Sequence, residues 1–191
     1  MALREVLQEV RELGPAVMRA PDHARAAYLL GVALARKGED DGAVRALEQS
    51  LQLRPDFAEA HLQLAAVLRR LGRDEEALER YRRALEAAPS DPALLVEAYR
   101  GRGAIHLLAG RADKAVRELR KAAAALPADG ESNRLLGIAL AGKGDLDGAR
   151  ICLEKAAAAL TPTLPPPTTE SPDGEAAAQA PARPAATAPT A

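Results

Sequence analysis

Few residues of this chain could do covalent or metal chemistry. They are three histidines (His23, His61, His106), one cysteine (Cys152) and two glycine-flanked bases, Gly101-Arg102-Gly103 and Gly142-Lys143-Gly144. A histidine can act as a general base or metal ligand, a thiolate as a nucleophile, and a glycine-rich basic loop as a phosphate cradle. The spacing supports none of these roles. The histidines are far apart with no second ligand type at metal spacing, and Cys152 has no histidine near it in sequence. Neither glycine pair follows a strand pattern or belongs to a Walker sequence. A single cysteine also excludes an internal disulfide and a cysteine-based metal cluster. The 191 residues carry 26 Lys+Arg against 27 Asp+Glu, so the basic excess of a nucleic-acid binder is missing. Aromatics at 2% leave no base-stacking platform. The cluster Arg80, Arg82 and Arg83 is interleaved with Glu76 and Glu79, which suits ion pairs along a helix rather than phosphate contacts. The expectation is a non-enzyme with no metal, no cofactor and no nucleic-acid partner.

The elements that must position any functional surface are helices, because Ala, Leu, Arg and Glu dominate the body. They recur with a fixed period. Gly38, Gly72, Gly110 and Gly144 each follow an apolar helical stretch. Ala43, Ala77, Ala115 and Ala149 stand five residues later, and Leu47, Tyr81, Leu119 and Leu153 four residues after those. Pro55, Pro89 and Pro127 close three units, while Gly31, Ala65, Gly103 and Gly137 hold a fixed upstream place. The period is 34 residues, lengthened to 38 between the second and third units by Pro92–Leu95. Each unit reads as two antiparallel helices. In the second, Leu62, Ala65, Leu68 and Leu71 form one stripe over 58–71, Gly72 ends that helix, and Asp74 is placed to cap a helix over 75–87 that Pro89 stops. Asp91 followed by Pro92 should start a lengthened first helix in the third unit. One pair cannot bury its own apolar face, so stacked neighbours must supply the core.

A 34-residue helix-turn-helix with small residues at places 8, 20 and 27 and proline at 32 resembles the tetratricopeptide repeat (TPR). The resemblance covers units 24–57, 58–91, 96–129 and 130–163, and implies an all-α, right-handed superhelical solenoid. The large aromatic that the family carries at place 4 occurs only as Tyr99, with Ala27, His61 and Asn133 in the other units, which predicts a thin core. His61 and His106 fall at packing places 4 and 11. Residues 1–23 contain an amphipathic stretch, Ala2–Leu13, that fits an N-terminal helix or degenerate partial repeat. From Thr161 the chain turns to Pro, Ala and Thr, so 164–191 is expected to be a disordered tail. With the tail beginning at once, the last helix should leave Ile151, Leu153 or Leu160 partly uncovered. The first residues, Met1 to Val6, lack the apolar run of a secretory signal, and no stretch nears the ~20 apolar residues of a membrane span, so a cytoplasmic protein is expected.

The resemblance also implies where function lies, in a groove lined by places 2, 5, 9, 12 and 13. These are Arg25, Tyr28, Val32, Ala35 and Arg36, then Glu59, Leu62, Ala66, Arg69 and Arg70. The third unit gives Glu97, Arg100, Ala104, Leu107 and Leu108, and the fourth Glu131, Arg134, Ile138, Ala141 and Gly142. Glu59, Glu97 and Glu131 make an acidic row beside Arg100 and Arg134, then an apolar floor, with Arg36, Arg69 and Arg70 on the far rim. Such a trough suits a protein or peptide segment with apolar anchors and some acidic groups. The family's clamp for a C-terminal carboxylate has no counterpart, since its positions hold Tyr28, Val32, Gln63, Glu97 and Gly101. The expected function is a non-catalytic adaptor or scaffold. Two alternatives are a subunit self-associating through its last repeat, as a homo-oligomer, and a recruiting subunit of an enzyme complex.

Overall fold

The computed structural model describes residues 21–160, which form eight α-helices joined by short turns. They are α1 (Pro21–Lys37), α2 (Asp40–Leu53), α3 (Ala58–Arg70), α4 (Asp74–Ala87), α5 (Pro92–Leu108), α6 (Ala112–Ala125), α7 (Gly130–Gly142) and α8 (Leu146–Leu160). The expected helix over 2–13 and the tail over 164–191 lie outside the described residues.

Every pair turns on the same local chemistry. Gly38, Gly72, Gly110 and Gly144 adopt φ of 84°, 73°, 67° and 83°, a conformation that other L residues rarely take. The residue after each glycine then reaches back into the helix it leaves. Glu39 N–H donates to Leu34 O, Arg73 to Leu68 O, Arg111 to His106 O and Asp145 to Leu140 O. These bonds satisfy carbonyls that a helix end would otherwise orphan. One expectation fails here. Asp74 is the first residue of α4 rather than its cap; Arg73 holds the cap position without a side-chain capping bond, and its guanidinium instead grips Glu76 at 2.7 Å. Asp91 does cap α5, accepting from Ala93 N–H at 3.0 Å and Leu94 N–H at 3.3 Å, and Asp129 caps α7 through Ser132 N–H at 2.8 Å.

The helices stack in order. Each first helix packs on its own second helix, each second helix on the next first helix, and the first helices α1, α3, α5 and α7 also touch in succession. The result is an all-α solenoid whose first helices share one face. Close approach within a pair depends on absent side chains. A Cβ at Gly31 would stand 2.5 Å from Leu47 Cγ, and one at Gly103 2.5 Å from Leu119 Cγ. Ala43, Ala77, Ala84, Ala115 and Ala122 are fully buried at the other contact places, and Ser50 hides its hydroxyl by donating to Ala24 O at 2.6 Å. In two of the three units that lack the aromatic of place 4, a hydrogen bond takes its place. The His61 ring nitrogen Nε2 bonds Pro55 O at 2.9 Å, and Asn133 Nδ2 donates to Pro127 O at the same distance. Both tie a first helix to the proline that closes the preceding pair. The buried apolar residues nevertheless fall into two clusters, one running from Ala24 to Ile105 and one from Ala115 to Ala149.

Candidate functional site

The face shared by the first helices carries a cavity of about 420 Å³ between α3, α5 and α7, with Tyr81 of α4 at its base. Its floor comes from two coordinated exceptions to the repeat. Tyr81 stands where the other pairs carry Leu47, Leu119 and Leu153, and Gly101 stands where they carry Leu29, Gln63 and Leu135. A Cβ at Gly101 would lie 2.2 Å from Tyr81 Cζ and 2.3 Å from its hydroxyl. The bulkier ring is accommodated only because the facing residue has no side chain. The phenol is thereby brought under the cavity, and burial pushes its pKa up while the Arg69 guanidinium, its hydrogen-bond partner, pulls back.

Eight of the sequence-predicted residues line this cavity: Leu62, Ala66, Arg69, Glu97, Arg100, Ala104, Glu131 and Arg134. The structure adds Gln63, Tyr81, Gly101 and Leu135, which place-by-place transfer of a family pattern misses. Comparing the four units with one another would have exposed Tyr81 and Gly101, since each breaks a run of larger or smaller residues at its place. Leu62 contributes only an edge, being buried in the first core cluster. Outside the cavity, Arg25 and Arg36 are exposed and Val32 is half-buried on α1. Tyr28 packs its ring on Phe57 with centroids 5.0 Å apart, and burial together with the nearby Glu59 and Glu97 raises its pKa. Glu59 is exposed, Leu107 packs against the second core cluster, and Ile138 is exposed on α7.

The basic residues divide by what already holds them. Arg70 is not a free rim charge. It pairs with Asp40 of α2 and donates to Ala35 O at 3.1 Å, bracing the first pair against the second. Arg100 reaches Asp129 at 3.3 Å, and Arg134 grips Glu131 through two bonds of 2.7 and 2.8 Å. Burial would raise the Asp129 carboxyl, but the hydrogen bond from Ser132 N–H and the Arg100 guanidinium hold it below its ordinary value. The Arg134 guanidinium likewise holds Glu131 down. Arg69 differs. It is half-buried, its Nε has no hydrogen-bond partner, and among the described residues it has no ion pair. The cavity therefore offers a guanidinium that holds the Tyr81 phenol but, among the described residues, no carboxylate, with Glu97 exposed across from them.

Among the described residues no group of three or more His, Cys, Asp and Glu could hold a metal ion, and no helix is long and apolar enough to cross a membrane. The basic cluster on α4 is spent on its own helix: Arg82 pairs with Glu79 and Glu86, Arg83 bonds Glu79 at 3.1 Å, and the Glu79 carboxyl is held down to about 2, chiefly by the hydrogen bond from Arg82.

Family comparison bears on the repeat itself. One tetratricopeptide repeat model matches residues 4–49 and 101–165, more than half of the chain, a second matches 56–128, and a TPR repeat model matches 31–72. No curated protein matches the sequence. Among solved structures, MamA 41-end from Desulfovibrio magneticus RS-1 superposes with a TM-score of 0.70 at 25% identity, over 82% of this chain and 85% of that one. A further MamA crystal structure gives a TM-score of 0.67 at 21% identity, over 83% of this chain and 86% of that one.

Proposed function

Because the chain belongs to the tetratricopeptide repeat family, we propose that it is a non-catalytic adaptor that seats a protein segment across its first-helix face. The segment carries apolar anchors and at least one acidic side chain. The observation that carries this reading is Arg69: a half-buried cation in a cavity, without a carboxylate of its own, beside the Tyr81 hydroxyl. A guanidinium held in that way favours a bidentate carboxylate. The apolar part of the segment has Ala66, Ala104, Leu135 and Ile138 to rest on. Glu97 restricts which sequences fit, since a second acidic group near it is repelled.

The test compares capture of binding proteins from the native source by the wild type and by Arg69→Glu. Arg70 is left untouched because it holds the first two helix pairs together. Loss of the captured protein in a variant with an unchanged helical signal supports the reading. Undiminished capture refutes it.

A further inference from the structure

A second surface, away from the first-helix cavity, is apolar and uncovered along α8. In the first three pairs the side chain nine residues after the turn glycine is covered: Leu47, Tyr81 and Leu119 are 0%, 3% and 0% exposed. Its counterpart on α8, Leu153, is 43% exposed. Seven residues to either side stand Leu146 and Leu160, 70% and 80% exposed. Seven residues is close to two helical turns, so the three leucines form one stripe along α8.

This stripe is more than an ordinary stacking face left open. Where α8 has Leu146, the other pairs carry Asp40, Asp74 and Ala112, and where it has Leu160 they carry Arg54, Ala88 and Leu126. The opposite exchange occurs at the place that a following pair would cover. Val44, Leu78 and Val116 become Arg150, which pairs with Glu154 at 2.6 Å. A further pair of the same kind would have to bury that charge, so the helix is patterned against simple continuation of the array. It is patterned for itself. The leucines are symmetric about Leu153, so an antiparallel α8 from a second copy sets Leu153 on Leu153, Leu146 on Leu160 and Leu160 on Leu146. In that register Arg150 lies level with Ala156 of the second copy, with the small, exposed Ala157 beside it, leaving room to exchange its Glu154 partner across the interface.

We propose that α8 is the two-fold interface of a homodimer, closed by antiparallel pairing of Leu146, Leu153 and Leu160 between two copies of this chain. A closed isologous contact of this kind needs no second surface. The 15 residues of α8 span about 22 Å, so the contact is at the small end of stable interfaces and its dissociation constant is on the order of micromolar. The proposal is independent of the function assigned to the first-helix face.

Sedimentation of the full chain tests it. The wild-type mass is expected to rise from 20.1 kDa towards twice that value as concentration passes through the micromolar range. Leu146→Lys and Leu160→Glu, both at exposed positions, should each weaken the dimer about tenfold or more without changing the helical signal. Combined in one chain, the two substitutions should associate more tightly than either does alone, because the introduced opposite charges meet only in the antiparallel register. Arg69→Glu should leave the mass unchanged. The proposal is overturned by a mass of 20.1 kDa at every concentration, which is also the result if residues 161–191 of the same chain cover the stripe. It is equally overturned by a dimer indifferent to either single substitution, or by a double variant weaker than both.

Discussion

Replacing Arg102, His106 and Glu118 together by Leu, Leu and Ala should stabilise the protein. These three buried or half-buried groups interrupt the core of the third helix pair. The equivalent places in the other pairs hold Leu30, Leu64 and Leu136 for Arg102, Leu34, Leu68 and Leu140 for His106, and Ala46, Arg80 and Cys152 for Glu118. The polar set is poorly satisfied. The Arg102 and Glu118 groups approach only to 3.4 Å, and Arg102 Nε, Glu118 Oε2 and His106 Nδ1 are buried without a hydrogen-bond partner. The break between the two apolar clusters falls here, between Ile105 and Ala115. An unsatisfied buried polar atom costs about 1–3 kcal/mol, and a newly buried leucine contributes about 1.5–3 kcal/mol. The Arg102 side chain keeps 24% of its surface in water, and its stem already covers some apolar area, so both terms are discounted. The net gain expected for the triple variant is about 2–4 kcal/mol, in line with apolar replacement of buried ion pairs elsewhere. Glu118→Ala alone should do the reverse and cost about 1–2 kcal/mol, because the half-buried Arg102 then loses its compensating charge.

Urea unfolding followed by circular dichroism measures both variants. The triple variant should raise the midpoint and steepen the transition, since joining two clusters makes neighbouring pairs unfold together. A triple variant no more stable than the wild type, or a Glu118→Ala variant that gains stability, would refute the reasoning.

The same contacts set four further outcomes. Burial pushes the His61 and His106 imidazoles below their ordinary pKa near 6.5. Below that value the unfolded chain binds more protons than the folded one. Stability is therefore full above about pH 6.5 and declines as the pH falls towards 5. His61→Asn should keep the bond to Pro55 O, as Asn133 does at its own place, hold neutral-pH stability within about 1 kcal/mol and shrink that acid decline; an unchanged decline would place the acid sensitivity elsewhere. Gly103→Ala should cost about 1–3 kcal/mol through its clash with Leu119, whereas Gly142→Ala, with nothing within 4 Å, should gain up to about 1 kcal/mol. Equal signs in thermal melts would contradict the packing argument. Asp91→Ala should cost about 0.5–2 kcal/mol by uncapping α5, read as a lower urea midpoint.

The repeat was legible because it rests on sterics that few residues can meet. A left-handed turn selects Gly38, Gly72, Gly110 and Gly144, and close helix contact selects Ala43, Ala77 and Ala115. The exposure of Ile151, Leu153 and Leu160 on α8 was likewise readable, because the composition turns from Ala and Leu to Pro, Ala and Thr directly after Leu160. The functional face was legible only as a list of places. Which of its charges are free depends on partners about thirty residues away, as with Arg70 and Asp40 or Arg100 and Asp129, and no local pattern specifies those pairs. The Tyr81–Gly101 exchange was written in the sequence, but as a pair of exceptions that transfer from a family pattern overlooks. The Asp74 cap failed for a local reason: the turn after Gly72 uses one residue, not two, and Arg73 takes the cap position.

The central claim, capture of an acidic-apolar segment on the first-helix face, is tested most directly by site-specific photocrosslinking in the native source. A photoreactive amino acid at Ala104, in the cavity, is compared with one at Arg120, exposed on α6. The account predicts one discrete protein adduct from Ala104, mapped to a segment containing Asp or Glu beside apolar residues and lost in Arg69→Glu. A probe at Arg120 that captures the same protein equally well, or an Ala104 adduct that survives Arg69→Glu, would contradict it.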